Sequence, residues 1–372
     1  MTDFPSRQGG ALRETSEAGS SSLESIQPEE AVSKFLSYKE PEIRPQTLKE
    51  YKRKLDHFID FCNSQSVENL NQLDGRVIQG FRRYRRLEST DQREPLSTKT
   101  MRDDMYLFRD FVKYLEYIES VPSGLSDKIG IPELGWGEGV RDTNISIDRL
   151  EMILEHLRQY QYASREHVVW KFHAHTGRRP GGLYAIDLTD LYLDSDEPYV
   201  ELRHRPEETE LKNGYRGEGE IYLSADAAQI FLDYINQNRI DVTTENDREP
   251  FLTSRYGRLS KSTMRTYVYR FSRPCIISGQ CPHDQDIESC QAAQSDDVAS
   301  KCPSSRSPYA LRHGYITSKR SEGVPDRFIS GRCDVSPDVL EKHYDERTES
   351  EKRELRKEVF DKSQESSTGG YA

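Results

Sequence analysis

Four short stretches carry residue types suited to chemistry on a phosphate: Thr176-Gly-Arg-Arg-Pro-Gly-Gly-Leu183, the lysine in Glu210-Leu-Lys-Asn-Gly214, Tyr309-Ala-Leu-Arg-His-Gly314 and Lys342-His-Tyr-Asp345. A guanidinium presents a planar fork of donors that matches an oxyanion and keeps its charge at any working pH. A phenol is a weak nucleophile with an unperturbed pKa near 10, and cationic neighbours lower the cost of its phenolate. An ammonium on a loop is a suitable proton donor to a departing oxygen. Each residue alone has a plainer explanation. Arg178 and Arg179 would complement a helix C-terminus, Lys212 would be solvated, His313 would pack against its domain, and Tyr344 is one tyrosine among 21. No compact Asp/Glu/His cluster sits on one element to hold a catalytic cation, which argues against a metal-dependent nuclease.

Taken in this order, the four stretches resemble the tyrosine recombinase (phage integrase) family. Its first motif, T-G-x-R-x-x-E-L, aligns the first catalytic arginine with Arg179 and leaves Arg178 at the variable position; the acidic residue three places later is Gly182 here. Its second motif, H-x-L-R-H, aligns the second catalytic arginine with Arg312 and puts Tyr309 where a histidine is usual. Helical spacing sets positions 309, 312 and 313 on neighbouring faces, so the Tyr309 hydroxyl could still meet a phosphate. The family's hairpin lysine falls on Lys212. Arg332, in Ser330-Gly-Arg-Cys-Asp334, replaces the histidine or tryptophan that supports the phosphate. Tyr344 matches the nucleophile, and the segment from Asp334 to Tyr344 looks like archaeal members.

The resemblance covers roughly residues 30–350 and implies site-specific DNA integration or excision. Tyr344 would form a 3′-phosphotyrosyl intermediate, Arg179 and Arg312 would hold the phosphate, and Lys212 would protonate the leaving 5′ oxygen. It implies double-stranded DNA as partner, a homotetramer on two duplexes, accessory directionality factors, and no nucleotide or metal cofactor for catalysis. The replacements at 182, 309 and 332 leave open a catalytically weak or inactive DNA-binding relative of the same fold.

Six cysteines are present, and Cys275, Cys281, Cys290 and Cys302 crowd into one polar stretch with five, eight and eleven residues between them. In a chain that begins without a secretory signal this reads as thiols or a structural zinc clip rather than disulfides, although the spacing lacks the paired C-x2-C of common zinc sites. A zinc-dependent DNA-binding regulator is therefore the alternative from another class. The net charge of −11 runs against nucleic-acid binding as an average. Basic clusters nevertheless occur at residues 81–86 and 261–273, and an acid-rich surface would suit concentrated salt. Arg82, Arg83, Arg85, Arg86, Lys99 and Arg102 are candidate phosphate contacts.

The elements that must position these residues follow from periodicity. The 372 residues suit two domains at roughly 100–200 residues each. Residues 1–30 read as a disordered tail and 31–120 as a helical DNA-clamping bundle. Its apolar stripes run through Leu48, Tyr51, Leu55, Phe58, Ile59 and Cys62, and again through Met101, Met105, Phe108, Val112 and Leu115. The Gly/Pro-rich stretch 121–145 reads as a linker. Residues 146–350 form the catalytic domain with its insert at 275–302, and 351–372 a tail. Within that domain, 199–204 and 220–224 alternate as strands around the polar loop that holds Lys212, and helices are expected at 145–160, 165–175, 225–238, 262–271, 309–322 and 339–347. The fold class is mainly α with a small β-sheet. No apolar run could span a bilayer, so a cytoplasmic, nucleoid-associated protein is expected.

Overall fold

The computed structural model describes residues 23–87, 95–135 and 145–344, with isolated positions from 349 to 361. The first 22 residues of the expected tail, most of the expected C-terminal tail and the last turn expected beyond Tyr344 lie outside the described residues. The chain divides into two compact units, Met1–Arg141 and Asp142–Ala372. It is mainly helical with small antiparallel sheets.

In the first unit, helices α1 (Pro28–Lys39), α2 (Pro45–Ser64), α3 (Gly75–Leu87) and α4 (Thr98–Tyr117) surround one aromatic core. Proline in the first turn starts α1 and α2, where its missing N–H costs nothing. The Ser97 hydroxyl starts α4 by accepting from the Thr100 N–H at 3.2 Å. Phe58 on α2 lies 5.2 Å from Phe81, 5.0 Å from Phe108 and 5.7 Å from Phe111, ring centre to ring centre, so one side chain links α2, α3 and α4. Two expectations are corrected here. Val121, Leu125 and Ile129, placed in a linker, are buried against this core from a turn and the short 3-10 stretch Ser126–Lys128. Arg85, a candidate DNA contact, turns inward: its Nη2 meets Asp104 at 2.9 Å with both side chains 4% exposed, and Lys54 joins the same carboxylate at 3.0 Å.

The second unit is built around α6 (Arg165–Thr176), whose Val168, Val169, Trp170, Phe172 and His173 are all buried. None of its residues is exposed, and α6 packs against α5 (Ile147–Tyr160), α8 (Ala225–Asp233), α9 (Lys261–Phe271) and α12 (Pro308–Ser321). After α7 (Pro180–Ala185) the strands β1 (Leu191–Tyr192), β2 (Tyr199–Leu202) and β3 (Gly219–Tyr222) form an antiparallel sheet in that order, with Val200 opposite Ile221. A minor ribbon, β4 (Thr253–Ser254) and β5 (Gly257–Arg258), precedes α9. The insert holds the short helices α10 (Pro274–Ser278) and α11 (Gln291–Gln294) and a 3-10 stretch, Asp296–Lys301.

Last come α13 (Asp326–Cys333) and α14 (Pro337–Tyr344). Ile316, Ile329, Cys333, Val335, Leu340 and Tyr344 give α12, α13 and α14 a small core of their own. Arg320 clasps it, donating to both Asp326 carboxylate oxygens at 3.0 and 2.9 Å and to the Leu340 carbonyl at 2.8 Å.

Two consequences are measurable. Asp104→Ala leaves Arg85 buried beside no acid and is expected to destabilise the first unit by about 3–5 kcal/mol, read as a lower urea midpoint; an unchanged midpoint refutes it. Burial pushes His167, His173 and His175 down to about 4. Unfolded histidines protonate near pH 6.5, so between about 6.5 and 4 the unfolded state binds more protons and stability falls as pH falls. The melting temperature is expected to drop from about pH 7 to about pH 5, and less steeply in His173→Leu.

Candidate active site

Helix α6 ends at Gly177 in the left-handed conformation, φ 63°. A Cβ there would come within 2.4 Å of the Tyr315 ring and 2.9 Å of the Cys333 sulfur, so only glycine lets the chain turn this close to α12 and α13. Pro180 then starts α7. The two residues between point to different places. Arg178 is buried and donates to the carbonyls of Gly217 at 2.9 Å and Gly331 at 3.1 Å. Arg179 is partly exposed, and its Nη1 donates to the Asp334 carbonyl at 2.6 Å and to Asp334 Oδ2 at 3.0 Å.

From α12, Arg312 enters the same space. Its Nη1 donates to the carbonyls of Gly177, at 2.9 Å, and Cys333, while its buried Nε has no hydrogen-bond partner. One turn earlier on the same face, the Tyr309 hydroxyl lies 3.1 Å from that of Tyr344. The Tyr344 ring is 2% exposed and sits against the His313 ring at 4.9 Å. Arg179, Arg312, Tyr309 and Tyr344, contributed by three segments far apart in sequence, thus share one site.

The site is strongly cationic. Arg178, Arg179 and Arg312 stand against one carboxylate, Asp334. Burial lowers the pKa of Arg178 to about 10. Burial, then the neighbouring charge of Arg312, lowers that of Arg179. Burial, followed by the hydrogen bond with Tyr344, pushes the Tyr309 phenol up to about 12 despite both arginines. At neutral pH Tyr309 is therefore a hydroxyl donor and not a base. An arginine-lined space with an unpartnered inward donor is suited to a tetrahedral oxyanion.

Other expected residues fall differently. Lys212 is exposed in the loop between β2 and β3, and the adjacent Asn213 donates to Asp334 Oδ1 at 2.6 Å, which ties that loop to the arginines. Arg332 is not brought in: it donates to the Tyr315 hydroxyl at 2.7 Å and to the carbonyls of His175 and Tyr222 at 3.0 and 3.1 Å, fastening α13 to α6 and β3. Gly182 leaves room for a Cβ, 3.5 Å from Leu202 and 3.6 Å from Arg178. Cys275, Cys281, Cys290 and Cys302 are free thiols, and among the described residues no three His, Cys, Asp or Glu are grouped to hold a metal ion. Arg273 crosses into the insert, donating to the Ala292 carbonyl and to Asp296. In the first unit, Arg82, Arg83, Arg86 and Lys99 are exposed and Arg102 lies over the Tyr106 ring. The sequence reading passed over Asp334, Asn213 and the inward role of Arg178. The signal for Arg178 was the doubled arginine between Gly177 and Pro180, a turn in which only one of two neighbours can face out.

Residues 32–117 match the family model described as phage integrase, N-terminal SAM-like domain. No curated protein matches the sequence. Among solved structures the chain is similar to the Tn1549 transposon integrase in complex with a circular intermediate DNA, at 12% identity and a TM-score of 0.61 over 91% of this chain and 100% of that one. It is similar also to the XerH site-specific recombinase bound to its difH substrate, at 12% identity and 0.58 over 89% and 84%, and to a lambda integrase dimer bound to a COC′ core site, at 12% identity and 0.58 over 86% and 77%. At these identities the likeness is one of fold, and it spans both units. The chain therefore carries a phage integrase N-terminal SAM-like domain at residues 32–117 and has the two-domain fold of the tyrosine recombinases.

Proposed function

We propose that this protein is a site-specific DNA recombinase that cuts and rejoins double-stranded DNA through Tyr344. The observation that carries the reading is the meeting of Arg179 and Arg312 with the paired hydroxyls of Tyr309 and Tyr344. In the proposed reaction the two guanidiniums hold the non-bridging oxygens and offset the charge that builds on them. Tyr344 gives up its proton to water, its oxygen bonds to phosphorus, and the bond from phosphorus to the 5′ oxygen breaks. Lys212 supplies a proton to that oxygen. The phosphotyrosine retains the bond energy, so rejoining by a 5′ hydroxyl needs no nucleotide. Tyr309, protonated at neutral pH, donates to the attacking oxygen or to the phosphate.

Double-stranded DNA is the proposed partner, with Arg82, Arg83, Arg86, Lys99 and Arg102 of the first unit as contacts to its backbone, and a homotetramer on two duplexes as the working assembly. Integration or excision of a mobile element in the cytoplasm, with accessory directionality factors, completes the proposal. Among the described residues no helix is long and apolar enough to cross a membrane.

The test uses a pool of random-sequence duplexes nicked to trap the cleaved strand. Wild type is expected to give a protein–DNA adduct that survives denaturation, and Tyr344→Phe none. Tyr309→Phe is expected to slow adduct formation about tenfold, the worth of one hydrogen bond made to the reacting group. Retained DNA without an adduct in wild type, across a range of salt, would instead select the inactive DNA-binding reading, which Gly182 and the engagement of Arg332 away from the arginine site favour.

A further inference from the structure

Asp334 is the carboxylate that lies against the catalytic arginines, and nothing in the proposed reaction uses it. Its backbone is left-handed, φ 54°, at the C-terminal cap of α13. Glycine takes that conformation at less cost, but only a residue with a side chain can make the contacts that follow. Both carboxylate oxygens are engaged by residues distant in sequence: Oδ2 accepts from Arg179 Nη1 at 3.0 Å and Oδ1 from Asn213 Nδ2 at 2.6 Å. Its carbonyl accepts from Arg179 at 2.6 Å. A Cβ at Gly217 would meet Oδ2 at 3.2 Å, so the far end of the Lys212 loop also packs on this group. The same loop is held a second time where Arg178 donates to the Gly217 carbonyl.

The contacts occupy only one end of the Arg179 fork. Nη1 is taken by Asp334, and among the described residues Nη2 and Nε make no hydrogen bond, which leaves that edge for an incoming oxyanion. A carboxylate placed to mask the site would cover the fork in parallel, as bidentate pairs do. This one grips from the side.

We infer that Asp334 is a positioning residue for strand cleavage: it aims Arg179 and, through Asn213, holds the Lys212 loop in register with the segment that leads to Tyr344. It occupies the role for which Gly182 carries no side chain. The inference rests on the recombinase reading for its catalytic half, and its structural half stands without it.

The test pairs two readouts on the full chain. Asp334→Asn keeps the shape and the left-handed tolerance, and Asp334→Gly removes the side chain while favouring the cap, so both variants fold. In limited trypsinolysis without DNA, Asp334→Gly and Asn213→Ala are each expected to speed cleavage after Lys212 about fivefold at unchanged melting temperature, because cleavage tracks local opening. The double variant is expected to be no faster than Asp334→Gly. An unchanged rate overturns the inference whatever DNA does.

On the nicked duplexes, Asp334→Asn is expected to cut the single-turnover adduct rate about tenfold or more, the cost of a misplaced catalytic group. Uncleaved binding, measured in the Tyr344→Phe background, should stay within about threefold, since a charge-neutralised positioning residue changes rate more than affinity. Faster cleavage with tighter binding would show a masking anion and overturn positioning. Should wild type form no adduct, the recombinase reading fails while the trypsin arm still decides whether Asp334 holds the loop.

Discussion

A guanidinium taken out of water must find acceptors, and the second unit is arranged around meeting that demand. Arg178 and Arg312 are buried, and the oxygens they meet are backbone carbonyls of Gly177, Gly217, Gly331 and Cys333. These carbonyls become available only where regular structure stops: at the end of α6, in the turn before β3, and across the end of α13. Helix and hairpin termini leave carbonyls without internal partners, and here the arginines take them up. Helix α13, whose small core is separate from the one that α6 and the β2–β3 hairpin share, is thereby brought to the same point. The carbonyls carry no net charge, so the cationic character of the site survives the satisfaction of its donors, which a ring of carboxylates would have cancelled.

That arrangement also explains the division of labour between adjacent arginines. Arg178 ties the Lys212 loop and α13 to the α6 terminus, Arg332 ties α13 to α6 and β3, and Arg320 ties α13 to α12 and α14. Arg179 and Arg312 keep donors in reserve. A charge run is therefore not uniformly solvated in either unit: Arg178 turns inward beside Arg179, and Arg85 is buried against Asp104 beside exposed Arg83 and Arg86.

Much of the architecture was legible in the sequence because it depends on local repetition. The stripe through Leu55, Phe58 and Cys62, the one through Met101, Met105, Phe108 and Val112, and the alternation at Tyr199–Leu202 each state which face is buried. Arg179, Arg312 and Tyr344 were singled out by motif resemblance, and the fold brings them together around Asp334 and Tyr309. Helix α13 was not: only Ile329 and Cys333 are buried in it and Phe328 faces out, too little for a period. Asp334, Asn213 and the destination of Arg332 depend on contacts across more than 100 residues, as in the 121-residue separation of Asn213 and Asp334, and no local pattern encodes those. The burial of Val121, Leu125 and Ile129 was not legible either, because they lie in a turn and a short 3-10 stretch that carry no helical period.

The crowded cap at Gly177 bears on how this sequence can change over generations. The volume that a side chain would fill is already taken by the Tyr315 ring from α12 and the Cys333 sulfur from α13. Gly177 consequently shares one small space with two positions more than 130 residues further along the chain, and none of the three can accept a larger residue unless another shrinks. Drift at this corner is confined to correlated changes, so descendants that keep the turn after α6 should inherit these three residues as a unit, even where the surrounding surface has diverged beyond recognition.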